Sequence, residues 1–173
     1  MGCDIHCYYE KKNEKGEWES IQEWETENDD AEYYAEQGYS WAPNVEYIPF
    51  NERKHPEISR WYFTFGLLTA GEVRSNVIPR DIALLTLKGL PDDTDQRIRA
   101  RFVHEDCDAH SESYITLEEL EKFKERAVKW ALVTKYGYTD ALNTALEEVH
   151  KSFHAHVEGE DKADYRMVFW FDN

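Results

Sequence analysis

The segment Tyr165–Phe171, which reads YRMVFWF, constrains the fold of this chain more than any other feature. Aromatic and β-branched residues favour extended backbone, so the segment predicts a strand. We expect a strand this apolar at the centre of a sheet. Residues 3–10 (CDIHCYYE) also indicate a strand. We expect the two strands to be neighbours.

The remaining patterns predict a hairpin and two helices. Residues 11–16 predict a polar turn, followed by a strand over Glu17–Trp24 with both tryptophans on one face. Leu117 to about Lys135 has helical spacing of apolar residues, with Thr116 and Glu119 as a capping box. A second helix is expected from about Asp140 to His156. Shorter patterns indicate a turn at residues 89–93, a buried helix or strand at 59–70, an acidic surface segment at 25–37 and an irregular segment at 38–59.

Together these elements predict an α+β fold. We expect a mixed or antiparallel sheet that contains the N- and C-terminal strands, packed on one side by two or three helices. The length of 173 residues fits a single domain over 1–173.

The net charge and the cysteine spacing limit the class of ligand and the cellular compartment that the sequence predicts. With 20 basic and 36 acidic residues, the net charge is −16, which disfavours duplex nucleic acid but not a small phosphorylated ligand. Polar residues interrupt the first six positions, so no signal peptide is expected, and no segment predicts a membrane span. The three cysteines show no CxxC spacing, which favours reduced thiols in a cytoplasmic setting.

Two Asp-x-His motifs are the clearest chemical signal. In an extended strand Asp4 and His6 point the same way, with Cys3 and Cys7 buried on the other face. A carboxylate and an imidazole so placed can reach one divalent transition metal. Asp108 and His110 repeat the motif in what we interpret as a loop leading into the capped helix. We expect the two motifs to converge and hold one or two metal ions.

Each motif also has a structural interpretation. Asp4 could merely orient His6, while Asp108 could form an Asx turn and His110 could be a surface residue. His150 and His154 have metal-ligand spacing but fit a solvated helix face better. Polar groups also end the apolar closing strand, and we interpret them as a frayed terminus rather than as part of the site; they are Asp172 and Asn173.

A second group of candidates surrounds the apolar block at residues 59–70. Arginine and an aromatic ring there could line an anion pocket, because guanidinium contacts phosphate through two parallel hydrogen bonds; the candidates are Arg60, Tyr62, Arg74 and Arg80. Surface pairing with acidic residues is the alternative for each arginine. His104 is the candidate general acid or base.

Several segments resemble a family of small, uncharacterised bacteriophage proteins. The similarity lies in the opening MGCDIH, in RWY and FGLL within residues 60–68, in GLPDD at 89–93, in DAHSESYITL at 108–117 and in the closing VFWFDN. It spans nearly the whole chain and implies a phage origin and the host cytoplasm as setting. Small phage proteins of this kind often counter host defences, including those that signal with nucleotides.

The leading hypothesis is therefore a metal-dependent hydrolase acting on a phosphodiester or nucleotide. A bound metal would activate water and polarise a phosphoryl oxygen. The first alternative is a non-catalytic protein that sequesters a nucleotide, with its pocket at a homo-oligomer interface. The second is an inhibitor whose acidic face binds a basic host protein.

Overall fold

The computed structural model describes residues 4–22, 36, 65–66, 68–69, 86–104, 108–133, 147, 151 and 161–172. The predicted helix at 140–156 falls almost wholly outside these ranges, as do the acidic segment at 25–37 and the irregular segment at 38–59. Within the described ranges, no helix is both long and apolar enough to cross a membrane.

Within the described residues, four antiparallel strands form one sheet in the order β2-β1-β4-β3. They are β1 (Asp4–Lys12), β2 (Trp18–Ser20), β3 (His110–Thr116) and β4 (Tyr165–Asp172). β4 lies at the centre beside β1, as its apolar sequence predicted, and their register runs from Asp4 opposite Asp172 to Lys11 opposite Tyr165. With α1 (Gln96–His104) and α2 (Leu117–Val133), the architecture is α+β, as expected.

The β1–β2 hairpin forms as its turn residues predicted. Asn13 accepts hydrogen bonds through its side-chain Oδ1 from the backbone N–H of Lys15 at 2.9 Å and of Glu17 at 3.0 Å. Gly16 has φ +80°, a left-handed conformation that glycine adopts without steric cost. The strand is shorter than predicted, and Trp24 lies outside the described residues.

The capping box at the start of α2 is confirmed in both directions. The Thr116 N–H donates to Glu119 Oε2 at 2.9 Å, and the Glu119 N–H donates to Thr116 Oγ1 at 3.1 Å. The predicted turn at 89–93 is also present, with Gly89 at φ +77° and the Thr94 N–H donating to the Pro91 carbonyl at 3.2 Å.

The expectation that a loop leads directly into this helix was wrong. Asp108 lies in a short helical turn, and the next residues form β3, which ends at the helix cap. A bulge between His110 and Ser113 interrupts the pairing of β3 with β4, and Ser111 within it has φ +56°. The irregular register and the alternating polar residues of HSESYIT hid this strand from pattern reading.

Both faces of the sheet are covered, rather than one face as expected. On the first, here called the α1 face, Tyr8, Val168 and Trp170 pack with Ile98 of α1. On the opposite face, Phe65 contacts the rings of Phe169 and Phe171 edge-on, with centroids 5.5 and 5.8 Å apart. The apolar residues on both sides of β4 are therefore accounted for, because α1 packs on one face of the sheet and Phe65 on the other.

Candidate functional site

The polar end of the β1–β4 pair brings three ionisable residues together on the α1 face. Asp4 and Asp172 are directly opposite each other, and the Asp4 N–H donates to Asp172 Oδ1 at 3.1 Å. The other oxygen, Oδ2, lies 3.3 Å from His6 Nε2. This approach is within ion-pair distance, but Nε2 does not form a hydrogen bond with the carboxylate.

The His6 imidazole lies over an aromatic wall. Its ring stacks on Trp170, with centroids 5.8 Å apart and planes 13° apart, and Tyr8 stacks on the other part of Trp170 at 4.8 Å. Phe102 meets Trp170 edge-on at 5.4 Å. The side chains of His6 and Asp172 keep 16% and 30% exposure, while His6 Nε2 itself is buried, so a ligand can reach only the remaining part of the imidazole and the carboxylate.

This arrangement suits proton transfer. A carboxylate near an imidazole nitrogen is a common neighbour of histidines that act as general base or acid in enzymes. Asp4 adds a second carboxylate at the same end of the sheet.

Asp172 is the functional candidate that the sequence interpretation missed. It was interpreted as part of a frayed terminus, yet it is the last residue of β4 and pairs with Asp4. Its alternation with Trp170 along the strand was the available signal, because it places Asp172 on the face of His6 once β1 and β4 are neighbours.

The second Asp-x-His motif takes a different position. His110 pairs with Phe171, and Phe171 pairs in turn with Ile5, so the register places His110 on the opposite face from His6. Its ring lies 5.9 Å from that of Phe171, and its Nδ1 is 3.1 Å from Ser111 Oγ. Asp108 is exposed.

The two motifs therefore do not form the single metal centre expected from the sequence. Within the part of the chain that the structure describes, no three His, Cys, Asp or Glu side chains are grouped to hold a metal ion. Successive residues along a strand place their side chains on opposite faces of the sheet. Two motifs on strands of one sheet therefore share a face only if the strand register aligns them. Whether either motif binds metal alone stays a prediction.

The remaining candidates lie elsewhere. His104 is the last residue of α1. The proposed anion-pocket residues lie outside the described residues: Arg60, Tyr62, Arg74 and Arg80. Cys7 lies on the face opposite His6, as predicted, but it is half-buried rather than fully buried. Desolvation raises the pKa of its thiol, which disfavours a nucleophilic role. Cys3 is outside the described residues.

A second polar cluster lies further along the α1 face. Glu10 is fully buried and accepts from Thr94 Oγ1 at 2.8 Å, from the Asp95 N–H at 2.6 Å and from Arg166 Nε at 2.5 Å. Arg166 also donates from one terminal nitrogen to Asp93 Oδ1 at 2.7 Å. Sequence reading missed this pair, although opposite charges within two strands expected to be neighbours were a usable signal.

No family model, no curated protein and no solved structure matches this chain.

Proposed function

We propose that this protein is a hydrolase of phosphodiesters or nucleotides in which His6 moves the proton and Asp172 orients it. The observation that supports the proposal is the 3.3 Å approach of Asp172 Oδ2 to His6 Nε2 at the accessible end of two central strands. Histidine is the most frequent general acid or base in enzymes.

The reaction divides into two proton transfers. His6 removes a proton from water as the water oxygen bonds to phosphorus, and Asp172 stabilises the resulting imidazolium. The bond from phosphorus to the leaving oxygen then breaks, and the same proton passes from His6 to that oxygen.

The substrate class comes from sequence rather than from geometry. The resemblance to bacteriophage proteins motivates a nucleotide or cyclic nucleotide used in host defence signalling, and the host cytoplasm as the place of action. The strongly acidic chain makes a small phosphorylated substrate more compatible than duplex nucleic acid, because fewer charges must be brought close to its surface.

A divalent transition metal is the cofactor that the sequence predicts. The described residues supply an imidazole and two carboxylates at this end of the sheet, but not a group of three close enough to hold an ion. Elemental analysis of the purified protein, and turnover before and after chelation, test the prediction directly.

Turnover of a panel of nucleotides, cyclic dinucleotides and a chromogenic phosphodiester tests the proposal. We expect His6→Ala to lower kcat about 100-fold or more and Asp172→Asn to lower it by about 10-fold or more, as for other general bases and their orienting groups. His110→Ala is the matched control, and its kcat should stay near that of the wild type, because His110 lies on the other face.

Two results would contradict the proposal. Equal losses in His6→Ala and His110→Ala would point back to one shared centre. A nucleotide that binds and is recovered intact after denaturation, with no turnover by the wild type, would make the protein a sequestering one.

A further inference from the structure

The guanidinium of Arg166 is buried, and one of its nitrogens lacks a hydrogen-bond acceptor among the described residues. Its side chain is 3% exposed, its Nε donates to Glu10 and one terminal nitrogen donates to Asp93. The other terminal nitrogen, NH2, is buried and has no hydrogen-bond partner among the described residues. A buried donor on a charged group is unfavourable without an acceptor, so this edge of the guanidinium suits a further oxygen.

The two acidic partners of Arg166 differ in how firmly they are held. Glu10 is fully buried and accepts three hydrogen bonds. Asp93 is 67% exposed and lies in the turn that follows Pro91. Asp93 accepts from one terminal nitrogen through one oxygen, whereas a guanidinium can donate two parallel bonds to a single anionic group. It is therefore the partner that can leave without disturbing the buried pair.

The surroundings of this edge are aromatic and basic. The Arg166 guanidinium carbon lies 4.1 Å from the Trp18 ring centroid and 5.5 Å from that of Tyr114. Lys12 lies over the Trp18 ring at 5.0 Å, and Lys88 over the Tyr114 ring at 4.4 Å. Three cations and two rings thus alternate along one sheet face, a composition typical of sites for phosphate groups attached to rings.

We propose that the terminal edge of Arg166 is a phosphate-binding site that Asp93 occupies in the free protein. A phosphate group displaces the Asp93 carboxylate and takes both terminal nitrogens, while Nε keeps Glu10. Each flanking lysine already has a carboxylate partner, Asp164 for Lys12 and Glu119 for Lys88. An anion that binds here must therefore displace a carboxylate. Removal of the Asp93 charge should strengthen the binding of that anion.

This site is separate from the His6–Asp172 pair. Arg166 and Asp172 are at opposite ends of β4, about 20 Å apart at the usual rise per residue. The proposal does not depend on hydrolase activity, and its failure would leave that activity untouched.

The test is a titration with inorganic phosphate at constant ionic strength, observed by 19F NMR of protein labelled with 5-fluorotryptophan. Trp18→Phe assigns the reporting resonance. Asp93→Asn should give a saturable shift of the Trp18 signal with a Kd at least about 10-fold lower than that of Asp92→Asn. Asp92 is the matched control, because it is an exposed neighbour of the same charge.

Three outcomes would overturn the proposal. The first is equal phosphate affinity in Asp93→Asn and Asp92→Asn. The second is unchanged affinity when Arg166→Lys is added to Asp93→Asn, since lysine keeps a charge for Glu10 but lacks the two-nitrogen edge. The third is loss of the folded state in both Asp93→Asn and Asp93→Ser, measured by circular dichroism, which would make Asp93 a fixed structural partner.

Discussion

Glu10 is a single residue that organises three parts of the chain. Its carboxylate joins the cation on β4, the Thr94 hydroxyl and the Asp95 N–H just before α1. All three contacts are made without solvent, since Glu10 has no exposed surface. A buried charge is tolerated only when partners of this kind compensate for its lost hydration.

We expect Glu10→Ala to lower the free energy of unfolding by about 3–5 kcal/mol, because it removes the buried partner of the Arg166 charge and leaves only the exposed Asp93. Urea unfolding followed by tryptophan fluorescence measures the change. The double variant Glu10→Met/Arg166→Met should cost less than the single one, since it removes both charges. A double variant that costs as much as Glu10→Ala would show that packing, not charge, causes the loss.

Asp95 carries the pH dependence that follows from its contacts. Burial acts to raise its pKa, but hydrogen bonds from the Arg97 side chain and from the backbone N–H groups of Ser20 and Arg97 together hold that pKa below its ordinary value of 3.8. A carboxyl whose pKa is lowered by folding stabilises the folded state above its ordinary pKa and loses that contribution as pH falls below it.

We therefore expect Asp95→Asn to be less stable than the wild type near neutral pH, with the difference shrinking as pH falls below about 4. Urea unfolding at a series of pH values measures it. Asp92→Asn, which removes an exposed charge nearby, serves as control. A difference that stays constant across this range would contradict the assignment of the stabilisation to the ionised carboxyl.

At the scale of one element, the α2 cap shows what local sequence can predict. Thr116 and Glu119 are three residues apart, and the reciprocal bonds between them need no distant partner. The strand β3 was missed because its pairing depends on β4, about fifty residues later, and because its bulge breaks the alternation. The sequence was therefore enough to predict contacts between residues a few positions apart, but not the register between strands that are distant in the chain.

Thr116→Ala should lower the free energy of unfolding by about 1 kcal/mol, because it removes the acceptor for the Glu119 N–H. Denaturant unfolding gives the value. Thr116→Ser retains a hydroxyl in the same place and should lose less than half as much. The cap would contribute nothing if the alanine variant matched the wild type, or if serine and alanine behaved alike.

Across the whole molecule, composition was enough to predict the fold, whereas the site depends on the register between distant strands. The apolar composition of β4 was enough to predict its central position. The link between Asp172 and His6, and the link between Arg166 and Glu10, each required knowing which residue of β1 faces which residue of β4. A shift of one residue would reverse every face, so the site follows from register and not from motif.

The net charge of −16 also acts at this scale. Mutual repulsion among acidic groups opposes the compact state, and salt screens it. Raising sodium chloride from about 0.05 to about 0.5 M should therefore raise the Tm. Exposed ion pairs such as Lys122–Glu118 weaken in salt but contribute little. A Tm that falls instead would mean that attractive pairs outweigh the repulsion.

The adjacency of β1 and β4 governs the order of events during folding. A hydrogen bond between residues 168 positions apart closes a very long loop, which costs about 3 kcal/mol more in chain entropy than closing the short β1–β2 hairpin. During synthesis on a ribosome, β1 cannot pair with β4 until almost the whole described sequence has been made. During that delay its Tyr8 and Tyr9 stay available to chaperones or to another unfinished chain, which makes synthesis the stage at which aggregation competes most with folding.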